Sequence, residues 1–355
     1  MKVYHVIGLM SGTSLDGLDI AHCAFKLDKG KWRYSINCAE TIKYNKAWQL
    51  KLKEAHLLTA EKLLQTHSEY GELLGKQVLR FKKKHKLKNV DLVSSHGHTI
   101  FHNPKGGFTF QLGNGASLAS VCGIKTVCDF RILDVALKGQ GAPLVPIGDR
   151  LLFSEYEFCL NLGGYSNISF ELNNKRIAFD ICPVNTALNY LAEAKGKSFD
   201  KGGAMAKSGQ VDKLLLEKLN RLGYYKKEPP KSLGREWLEE YFLPIINSSS
   251  ISIEDKLATV TEHITCQISQ ANIRSNKKGK VLITGGGANN TFLILRLKEK
   301  MPEYQIIIPE ITLINFKEAL VFAFLGVLRI EERTNTLHSV TGAIQDSSGG
   351  VIFIP

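Results

Sequence analysis

Residues 3–20, VYHVIGLMSGTSLDGLDI, decide how the chain is interpreted. The run from Val3 to Met10 is apolar and of strand length, which predicts a buried β-strand. The next seven residues, SGTSLDG, combine glycine with hydroxyl and acidic side chains, a composition that favours a tight polar turn. The apolar pattern resumes at Leu18 and extends past Cys23. The stretch therefore predicts a β-hairpin with a polar tip.

The tip of this hairpin has the composition of a phosphate-binding turn. Its backbone N–H groups and hydroxyls suit phosphate oxygens, and Asp16 and Asp19 could hold Mg²⁺ through water molecules. It is not a Walker loop, because no Gly-Lys-Ser/Thr closes it. An ordinary polar turn has the same composition, so both interpretations stay open at this point.

Composition narrows the class of protein. At 355 residues the chain predicts two domains or one large one, and 44% hydrophobic and 23% charged residues are typical of a soluble globular protein. The net charge of +12 comes from short lysine runs without interleaved aromatics, which favours attraction for small anions over nucleic-acid binding. No signal peptide is recognisable, and no apolar run approaches the roughly 18 residues of a membrane span. We therefore expect neither a nucleic-acid nor a membrane partner.

The seven cysteines bear on the compartment. They are scattered without a C-x-x-C pair, which predicts reduced thiols of a cytoplasmic protein rather than disulfides or zinc ligands. His96 and His102 have no third Cys or His at a fitting spacing, so they are expected to be loop hydrogen-bonding residues.

Apolar periodicity outlines the first half of the chain. Residues 48–86 are predicted to be helical, with a break near residues 58–60. A short buried strand is predicted over residues 90–95, followed by a loop over residues 96–104. Residues 138–146, KGQGAPLVP, are too rich in glycine and proline for regular structure and are predicted to cross between domains.

The second half repeats the opening pattern. A strand over residues 158–162 leads into the turn GGYSN (163–167) and a partner strand. Because strand, polar glycine turn and strand begin each half, the chain is predicted to be a duplicated α/β unit. A final apolar helix is predicted over residues 319–333.

A third glycine turn, GGGANN (285–290), follows the apolar strand 280–284. Three consecutive glycines are unfavourable unless something passes close to the backbone. The ligand that would explain them is the sugar or base of a nucleotide. Tight packing between helix and sheet is the alternative.

Three glycine turns on a duplicated α/β framework resemble the layout of the actin–hexokinase–acetate kinase superfamily. GLMSGTSLDGLDI (8–20) resembles the opening signature of the anhydro-N-acetylmuramic acid kinases. Further matches follow in order: SHGHTIFH (95–102), QLGN (111–114), DFRILDVALKGQGAPLVP (129–146), NLGGYSNIS (161–169), PKSLGRE (230–236), TGGGANN (284–290) and VTGA (340–343). The chain is identified as a member of this family by resemblance.

The resemblance implies an α/β fold of two duplicated ribonuclease H-like, actin-like ATPase domains with an interdomain cleft. Domain I would span residues 1–137, to which residues 338–355 could belong, and domain II residues 138–337. The implied co-substrate is ATP with Mg²⁺, the metal being held by Asp16 through water. The implied ATP contacts are Gly12, Thr13, Ser14, Leu15, Asp16, Gly17, Leu18, Asp19, Gly163, Gly164, Gly285, Gly286, Gly287 and Asn290.

The implied reaction opens the internal bridge of 1,6-anhydro-N-acetylmuramic acid with water and phosphorylates O6 with ATP. The product is N-acetylmuramic acid 6-phosphate, in the recycling of cell-wall peptidoglycan. Asp180 corresponds to the base in the family segment F-D-x-G-P-x-N, and a carboxylate beside the sugar suits that role. A carboxylate that caps the following helix is the alternative.

The resemblance places Thr99, Arg131, Asn185 and Glu318 on the substrate side. Arg131 suits the lactyl carboxylate through a bidentate pair, or it could pair with Asp129 or Asp134 in its own loop. Glu318 could accept a sugar hydroxyl or favour a helix N-terminus.

The chain also departs from the family pattern. Cys182 and Val184 stand where glycine is expected or common, Asn189 replaces an aspartate, and His98 stands where glutamine is usual. A kinase for a different anhydro-sugar, or a non-catalytic ATP-binding protein, therefore stays an alternative. Asp16, Asp180, Glu318 and all three glycine turns are present, which argues against the non-catalytic alternative. A cytoplasmic homodimer is expected from the resemblance.

Overall fold

The computed structural model describes residues 2–12, 15, 17–273 and 279–355. The chain divides into two compact units. The first consists of Met1–Leu152 with Phe316–Pro355, and the second is the continuous segment Phe153–Asn315.

The described residues form the following elements. The strands are β1 (Val3–Ser11), β2 (Gly17–Asp28), β3 (Lys31–Lys43), β4 (Leu92–Asn103), β5 (Phe108–Leu112), β6 (Thr126–Cys128), β7 (Phe158–Leu162), β8 (Tyr165–Leu172), β9 (Lys175–Pro183), β10 (Lys280–Thr284), β11 (Gln305–Ile307) and β12 (Val351–Phe353). The α-helices are α1 (Lys46–Glu54), α2 (Ala60–Lys84), α3 (Gly115–Cys122), α4 (Ile132–Ala136), α5 (Pro146–Leu152), α6 (Asn185–Glu193), α7 (Ala204–Ser208), α8 (Lys213–Asn220), α9 (Arg235–Trp237), α10 (Leu243–Asn247), α11 (Ile253–Ile273), α12 (Thr291–Lys300), α13 (Ile311–Ile330) and α14 (His338–Thr341). Short 3₁₀ turns span Ala55–Leu57, Pro104–Gly106, Lys201–Gly203, Gly223–Lys226 and Gly286–Asn289, and a π-turn spans Leu238–Phe242.

The two sheets share one topology. In the first unit the order is β12-β6-β4-β1-β2-β3, and β5 pairs with β4. In the second unit it is β11-β10-β7-β8-β9. In both, the opening strand pairs antiparallel with the next one and parallel with a strand that follows a helical crossover. The predicted duplicated α/β fold is confirmed.

The opening hairpin is also confirmed. Strands β1 and β2 pair antiparallel from Val3↔Lys26 to Ser11↔Leu18. Ile7 and Leu9 are fully buried and pack with Leu74 and Phe81 of α2. Burial of such side chains contributes roughly 1.5–3 kcal/mol each before the entropy cost of ordering them.

The helical region after β3 breaks where the sequence predicts a break. Helix α1 ends at Glu54, and α2 begins at Ala60 after the 3₁₀ turn Ala55–Leu57. Leu58, between them, is extended with φ −73° and ψ 150°, so the helix cannot continue through it.

The predicted loop over residues 96–104 is wrong, because β4 continues to Asn103. Strand β5 lies antiparallel to this part of β4, with His98↔Leu112 and Asn103↔Phe108 as partners. The backbone hydrogen bonds that β5 supplies make a strand of a polar sequence whose own pattern does not favour one.

Helix α13 begins at Ile311, earlier than the predicted residue 319. By length and composition alone it is long and apolar enough to cross a membrane, although it holds no uninterrupted apolar run of about 18 residues. Lys317 and Glu318 interrupt the apolar sequence of α13, yet the mean hydropathy of its most apolar 18-residue window is still 1.8. The window is 67% buried within the protein, and a Cβ at Gly8 of β1 would lie 2.1 Å from the Ala319 carbonyl oxygen. The core helix of a globular unit has these properties.

The glycine-rich segment 138–146 packs within the first unit. The fully buried Asp134 accepts hydrogen bonds from the Gly141 N–H and the Thr341 hydroxyl, both at 2.7 Å. A buried ion pair of 2.7 Å joins Lys317 to Asp149. The limits of the two compact units differ from those of the predicted domains, which were residues 1–137, to which 338–355 could belong, and residues 138–337. The division into these domains stays a prediction.

Candidate active site

The tip of the β1–β2 hairpin is described only in part. Thr13, Ser14 and Asp16 lie outside the described residues, so their predicted contacts with phosphate and Mg²⁺ stay predictions. Leu15 has a positive φ of 60°, and its N–H donates to the Gly12 carbonyl at 3.4 Å. Such a backbone geometry is uncommon for a leucine and is typical of a tight turn.

Gly17 and Leu18 at the start of β2 serve the fold. A Cβ at Gly17 would lie 2.7 Å from Cγ2 of Thr41 and 2.8 Å from the Ile42 carbonyl oxygen, so β3 packing requires glycine there. The Leu18 side chain belongs to the core. Any nucleotide contact of these two residues would therefore come from the backbone.

Arg131 is held by two neighbours. Its Nε and Nη2 atoms lie 3.1 and 2.9 Å from Nε2 of His96, and its Nη1 donates to the Gly141 carbonyl at 2.6 Å. Nδ1 of His96 lies 2.9 Å from the Gly97 carbonyl oxygen, which can only accept, so the His96 proton is on Nδ1 and Nε2 accepts from Arg131. Neither Asp129 nor Asp134 takes the hydrogen bonds of the guanidinium.

The charges around Arg131 form a small network within the first unit. Burial lowers the pKa of Arg131 to about 10, so it stays a cation at neutral pH, while Glu318 and Asp134 oppose the shift. Burial, with the charge of Arg131, holds the pKa of His96 well below its usual range.

Glu318 completes this network. Surrounding protein raises the pKa of its carboxyl, Arg131 opposes the shift, and Asp19 adds to it. The Glu318 side chain is exposed to solvent by surface area. The desolvation that raises its pKa therefore comes from the protein atoms packed around the carboxyl and not from complete burial of the residue. The structure therefore brings Asp19, Arg131 and Glu318 within electrostatic range. Helix α13 is kinked at Phe316, with φ −118° and ψ 15°, so Glu318 lies in the first turn of the helical segment that follows the kink.

Thr99 lies on the wall of a cavity in the first unit. The cavity has a volume of about 220 Å³ and is lined by Leu15, Leu52, Lys53, His56, His98, Thr99 and Ile100. The Thr99 hydroxyl accepts a long hydrogen bond of 3.5 Å from Gln111. His98 is 3% exposed, and burial lowers its pKa to about 4.

Asp180 lies on β9 in the second unit, next to a β-bulge. The register of β8 and β9 shifts between Ser166 and Asn167, and Asn167 pairs with Asp180. Bulges of this kind turn a side chain away from its regular position. The following helix α6 is capped by Val184 without a side-chain hydrogen bond, so Asp180 is not its cap.

Asp180 is held by the loop before α9 and by the 3₁₀ turn Gly223–Lys226. The Leu233 N–H donates to Oδ2 of Asp180 at 2.9 Å, the Asp180 N–H donates to the Lys231 carbonyl at 3.1 Å, and the Tyr224 hydroxyl donates to the Asp180 carbonyl at 2.7 Å. Burial raises the pKa of the Asp180 carboxyl, and the Leu233 N–H opposes that shift. The sequence marks PKSLGRE as a motif but does not reveal that it holds Asp180.

The two bulky departures from the family pattern near Asp180 point into the core. Cys182 and Val184 are fully buried. The Ser166 hydroxyl donates to the Cys182 carbonyl at 3.1 Å, and burial raises the pKa of the thiol to about 12, which keeps it protonated. These residues are absorbed by packing rather than presented to a ligand.

The turn between β7 and β8 is tied to the start of α6. The Gly164 carbonyl accepts from the Val184 N–H at 2.8 Å and from the Thr186 hydroxyl at 2.8 Å. The Gly163 carbonyl accepts from the Asn185 N–H at 3.2 Å, and Nδ2 of Asn185 donates to the Leu162 carbonyl at 3.1 Å. One donor of Asn185 therefore holds the turn, whatever else its side chain contacts.

The triple-glycine turn after β10 combines tight packing with one position free of a packing clash. Gly285 has φ +82°, and a Cβ there would lie 2.5 Å from Oδ1 of Asn161. A Cβ at Gly287 would lie 2.7 Å from Cβ of Leu162, whereas one at Gly286 would have only Nδ2 of Asn185 near it, at 3.5 Å. Packing accounts for two of the glycines, whereas a Cβ at Gly286 would make only an ordinary van der Waals contact.

Asn290 is the N-cap of α12, where its Oδ1 accepts from the Leu293 N–H at 3.0 Å. The 3₁₀ turn Lys201–Gly203 lies against it, because a Cβ at Gly203 would be 2.4 Å from Oδ1 of Asn290. The Thr291 hydroxyl donates to the Gly202 carbonyl at 3.0 Å. This segment is not among the predicted site residues, although its two adjacent glycines before a helix are a usable signal.

Within the described part of the chain, no cluster of three or more His, Cys, Asp or Glu side chains is arranged to hold a metal ion. His96 and His102 each form a hydrogen bond instead, His96 with Arg131 and His102 with Thr109.

A sequence model of the anhydro-N-acetylmuramic acid kinases matches residues 4–355. This chain belongs to the anhydro-N-acetylmuramic acid kinase family. The family expected from the motifs is confirmed, and with it the assignment to the kinases.

Members of the family are similar over nearly their whole length. The anhydro-N-acetylmuramic acid kinase of Mannheimia succiniciproducens is 36% identical over 99% of both chains, and that of Aliivibrio fischeri is 35% identical over 98% of both. Among solved structures, the activator of the 2-hydroxyisocaproyl-CoA dehydratase from Clostridium difficile has a TM-score of 0.44 at 14% identity, over 92% of this chain and 96% of that one. That similarity is too low to transfer a function.

Proposed function

We propose that the protein is an anhydro-N-acetylmuramic acid kinase that hydrolyses the 1,6-anhydro bridge of its substrate and phosphorylates O6 with ATP. Family membership supports the reaction, and the setting of Asp180 carries the proposal. This carboxylate is partly exposed, has a raised pKa and is fixed by a dedicated loop. Such a group is suited to accept a proton from water.

In the proposed reaction, Asp180 takes a proton from the water that attacks the anomeric carbon C1. The C1–O6 bond breaks, O6 attacks the γ-phosphorus of ATP, and ADP leaves. The products are N-acetylmuramic acid 6-phosphate and ADP, and the proton on Asp180 is later released. Leu233 engages Oδ2, while Oδ1 has no hydrogen-bond partner among the residues described, so Oδ1 is the oxygen available to the water.

Arg131 is proposed to bind the lactyl carboxylate of the sugar. Its contacts with His96 and Gly141 use three of its five N–H groups, which leaves one on each Nη atom. Two N–H groups of a fixed guanidinium suit a bidentate pair with a carboxylate. Thr99, Asn185 and Glu318 are proposed as further contacts of the sugar.

The glycine turns at residues 12–19, 163–164 and 285–287, with Asn290, are proposed to bind ATP. The absence of a packing clash at Gly286, where a Cβ would lie 3.5 Å from Nδ2 of Asn185, supports this for the third turn. Mg²⁺ would supply charge neutralisation at the phosphates when bound. Asp16 is proposed to hold it through water, and the neighbouring Asp19 is a hard oxygen donor of the type Mg²⁺ prefers. A cytoplasmic homodimer is proposed from the family, and the seven free cysteines are in keeping with a reducing compartment.

The test is to mix the purified protein with Mg·ATP and 1,6-anhydro-N-acetylmuramic acid, and to measure ADP release and the mass of the sugar product. The proposal predicts a product heavier by one phosphoryl group and one water. A gain of phosphoryl alone would remove the hydrolytic role of Asp180. No ADP release would favour another anhydro-sugar or a non-catalytic ATP-binding protein.

A further inference from the structure

A buried chain of hydrogen bonds ends beneath the 220 Å³ cavity that Thr99 lines. The hydroxyls of Tyr70 and Tyr44 lie 2.5 Å apart, the Tyr44 hydroxyl donates to Ser11 Oγ at 2.8 Å, and Ser11 Oγ lies 2.9 Å from Nδ1 of His98. All four side chains belong to the first unit and are at least nine-tenths buried. None of them has a role in the mechanism above.

The direction of the bond from Tyr44 to Ser11 favours one tautomer of His98. The Ser11 hydroxyl oxygen accepts a hydrogen bond from the Tyr44 hydroxyl. The single proton of the Ser11 hydroxyl is then available to donate to Nδ1 of His98. A neutral imidazole that accepts at Nδ1 carries its proton on Nε2. Burial lowers the pKa of His98 to about 4, so the ring is a neutral donor at physiological pH and not a cation.

The Nε2–H of His98 is left for a ligand. Among the residues described, Nε2 has no hydrogen-bond partner, although the side chain is only 3% exposed. His98 lines the cavity beside Thr99 and Lys53. An N–H at the wall of this cavity can donate to a bound ligand, and the space is large enough for a sugar substituent.

We propose that His98 is a specificity-determining residue whose Nε2–H, set by Ser11 and Tyr44, donates to an acceptor oxygen of the bound anhydro-sugar. The identification of the ligand as a sugar rests on the proposed function. The oxygen belongs either to the lactyl carboxylate or to the N-acetyl sugar ring. Ser11 and Tyr44 act as positioning residues, because Ser11 contacts the ring of His98 and Tyr44 contacts Ser11.

The first test uses the full-length protein with ¹⁵N-labelled histidine. The His98 signals, assigned by their loss in His98→Gln, should show a proton on Nε2 and none on Nδ1 at pH 7. Ser11→Ala should weaken that preference. Equal populations of both tautomers in the unchanged protein would overturn the proposal.

The same sample is titrated without ATP, first with 1,6-anhydro-N-acetylmuramic acid and then with 1,6-anhydro-N-acetylglucosamine, which lacks the lactyl group. A shift of the His98 Nε2 signal with both sugars assigns the oxygen to the shared ring, and a shift with the first alone assigns it to the lactyl group. No shift with either sugar contradicts the proposal. If the protein forms the product but the Nε2 signal does not shift, the proposed function stands and the role of His98 is contradicted. If the Nε2 signal shifts but no product forms, His98 binds the sugar and the proposed reaction is contradicted.

Kinetics provide a second readout. His98→Phe keeps a ring but has no donor, so the KM for the sugar should rise about fivefold to tenfold while kcat stays within about twofold. His98→Gln can turn its amide N–H towards the cavity and should keep KM within about twofold. His102→Gln, on the same strand, is the matched control. An unchanged KM in a folded His98→Phe variant overturns the proposal, and the tautomer measurement stands if that variant does not fold.

Discussion

The backbone N–H of Leu233 donates to Oδ2 of Asp180 at 2.9 Å, across a sequence separation of 53 residues. This bond ties a loop of irregular structure to the one carboxylate that the proposed reaction needs. It also stabilises the charged form of that carboxylate against the burial that raises its pKa.

Asp180→Asn should remove turnover and leave ATP binding intact. The amide cannot accept a proton from water, and loss of a general base costs typically 10²–10⁴-fold in rate. Product formation and ATP affinity are measured separately, with the exposed Glu239→Gln as the control acid. If Asp180→Asn kept more than a small fraction of the activity, Asp180 would not be the base.

The pH dependence of kcat/KM should report Asp180. The residue works as the carboxylate, so activity is lost as the pH falls through its pKa, which burial places above the ordinary value of 3.8. Leu233→Pro removes the N–H that opposes this shift, so the acid limb should move to higher pH. Leu233→Ala keeps the N–H and should leave the limb in place. Identical limbs in the two variants would show that this bond does not set the pKa.

The glycines of the third turn should separate stability from nucleotide binding. Gly285→Ala places a Cβ 2.5 Å from Oδ1 of Asn161 in a backbone with φ +82°, so the free energy of unfolding should fall by about 1–3 kcal/mol. Gly286→Ala places its Cβ at ordinary contact distance, 3.5 Å from Nδ2 of Asn185, and should keep that stability, yet weaken ATP binding. Urea unfolding and ATP titration check the two effects. Equal stability losses in both variants would contradict the geometry.

His263 should make the second unit sensitive to acid. It is fully buried between Asn220 and Tyr225, and burial lowers its pKa to about 3. The unfolded chain protonates this histidine near pH 6.5, whereas the folded chain does not. The contribution of neutral His263 to the free energy of unfolding is therefore fully present above pH 6.5, and it falls by about 1.4 kcal/mol per pH unit below that value.

His263→Gln should therefore flatten the dependence of the unfolding free energy on pH between about 6 and 4, even if it lowers stability at pH 7. Urea unfolding at a series of pH values measures this slope. The exposed His56→Gln is the control and should not alter it. A slope unchanged in His263→Gln would show that this histidine does not contribute to acid sensitivity.

Patterns local in the sequence predicted local structure well. The hairpin of β1 and β2 follows from an apolar run, a polar glycine turn and a second apolar run. The duplicated fold follows because the same pattern recurs at β7 and β8. The failures lie where a distant partner decides the structure, as when β5 makes a strand of residues 96–103.

The candidate site divides in the same way. Asp180 is recognisable from its motif, but its contact with Leu233 joins two distant segments and has no local signal. The hydrogen bonds between Arg131 and His96 likewise depend on the pairing of separate elements. The glycines at 285 and 287 could be predicted as a tight turn, whereas only coordinates distinguish them from Gly286.

The first unit is assembled from both ends of the chain, and this has a consequence for protein synthesis. Residues 153–315 are continuous and can fold as soon as they leave the ribosome. Strand β1, by contrast, can be covered only after α13 has been made, because the Ala319 carbonyl of that helix packs on Gly8. Strand β6 likewise can pair with β12 only after β12 has been made. Until α13 has been synthesised, strand β1 lacks the helix that covers it. A truncated mRNA that ends before the codons of α13 therefore yields a chain in which the first sheet lacks this helix. Such exposed apolar surface makes the chain a substrate for chaperones and proteases.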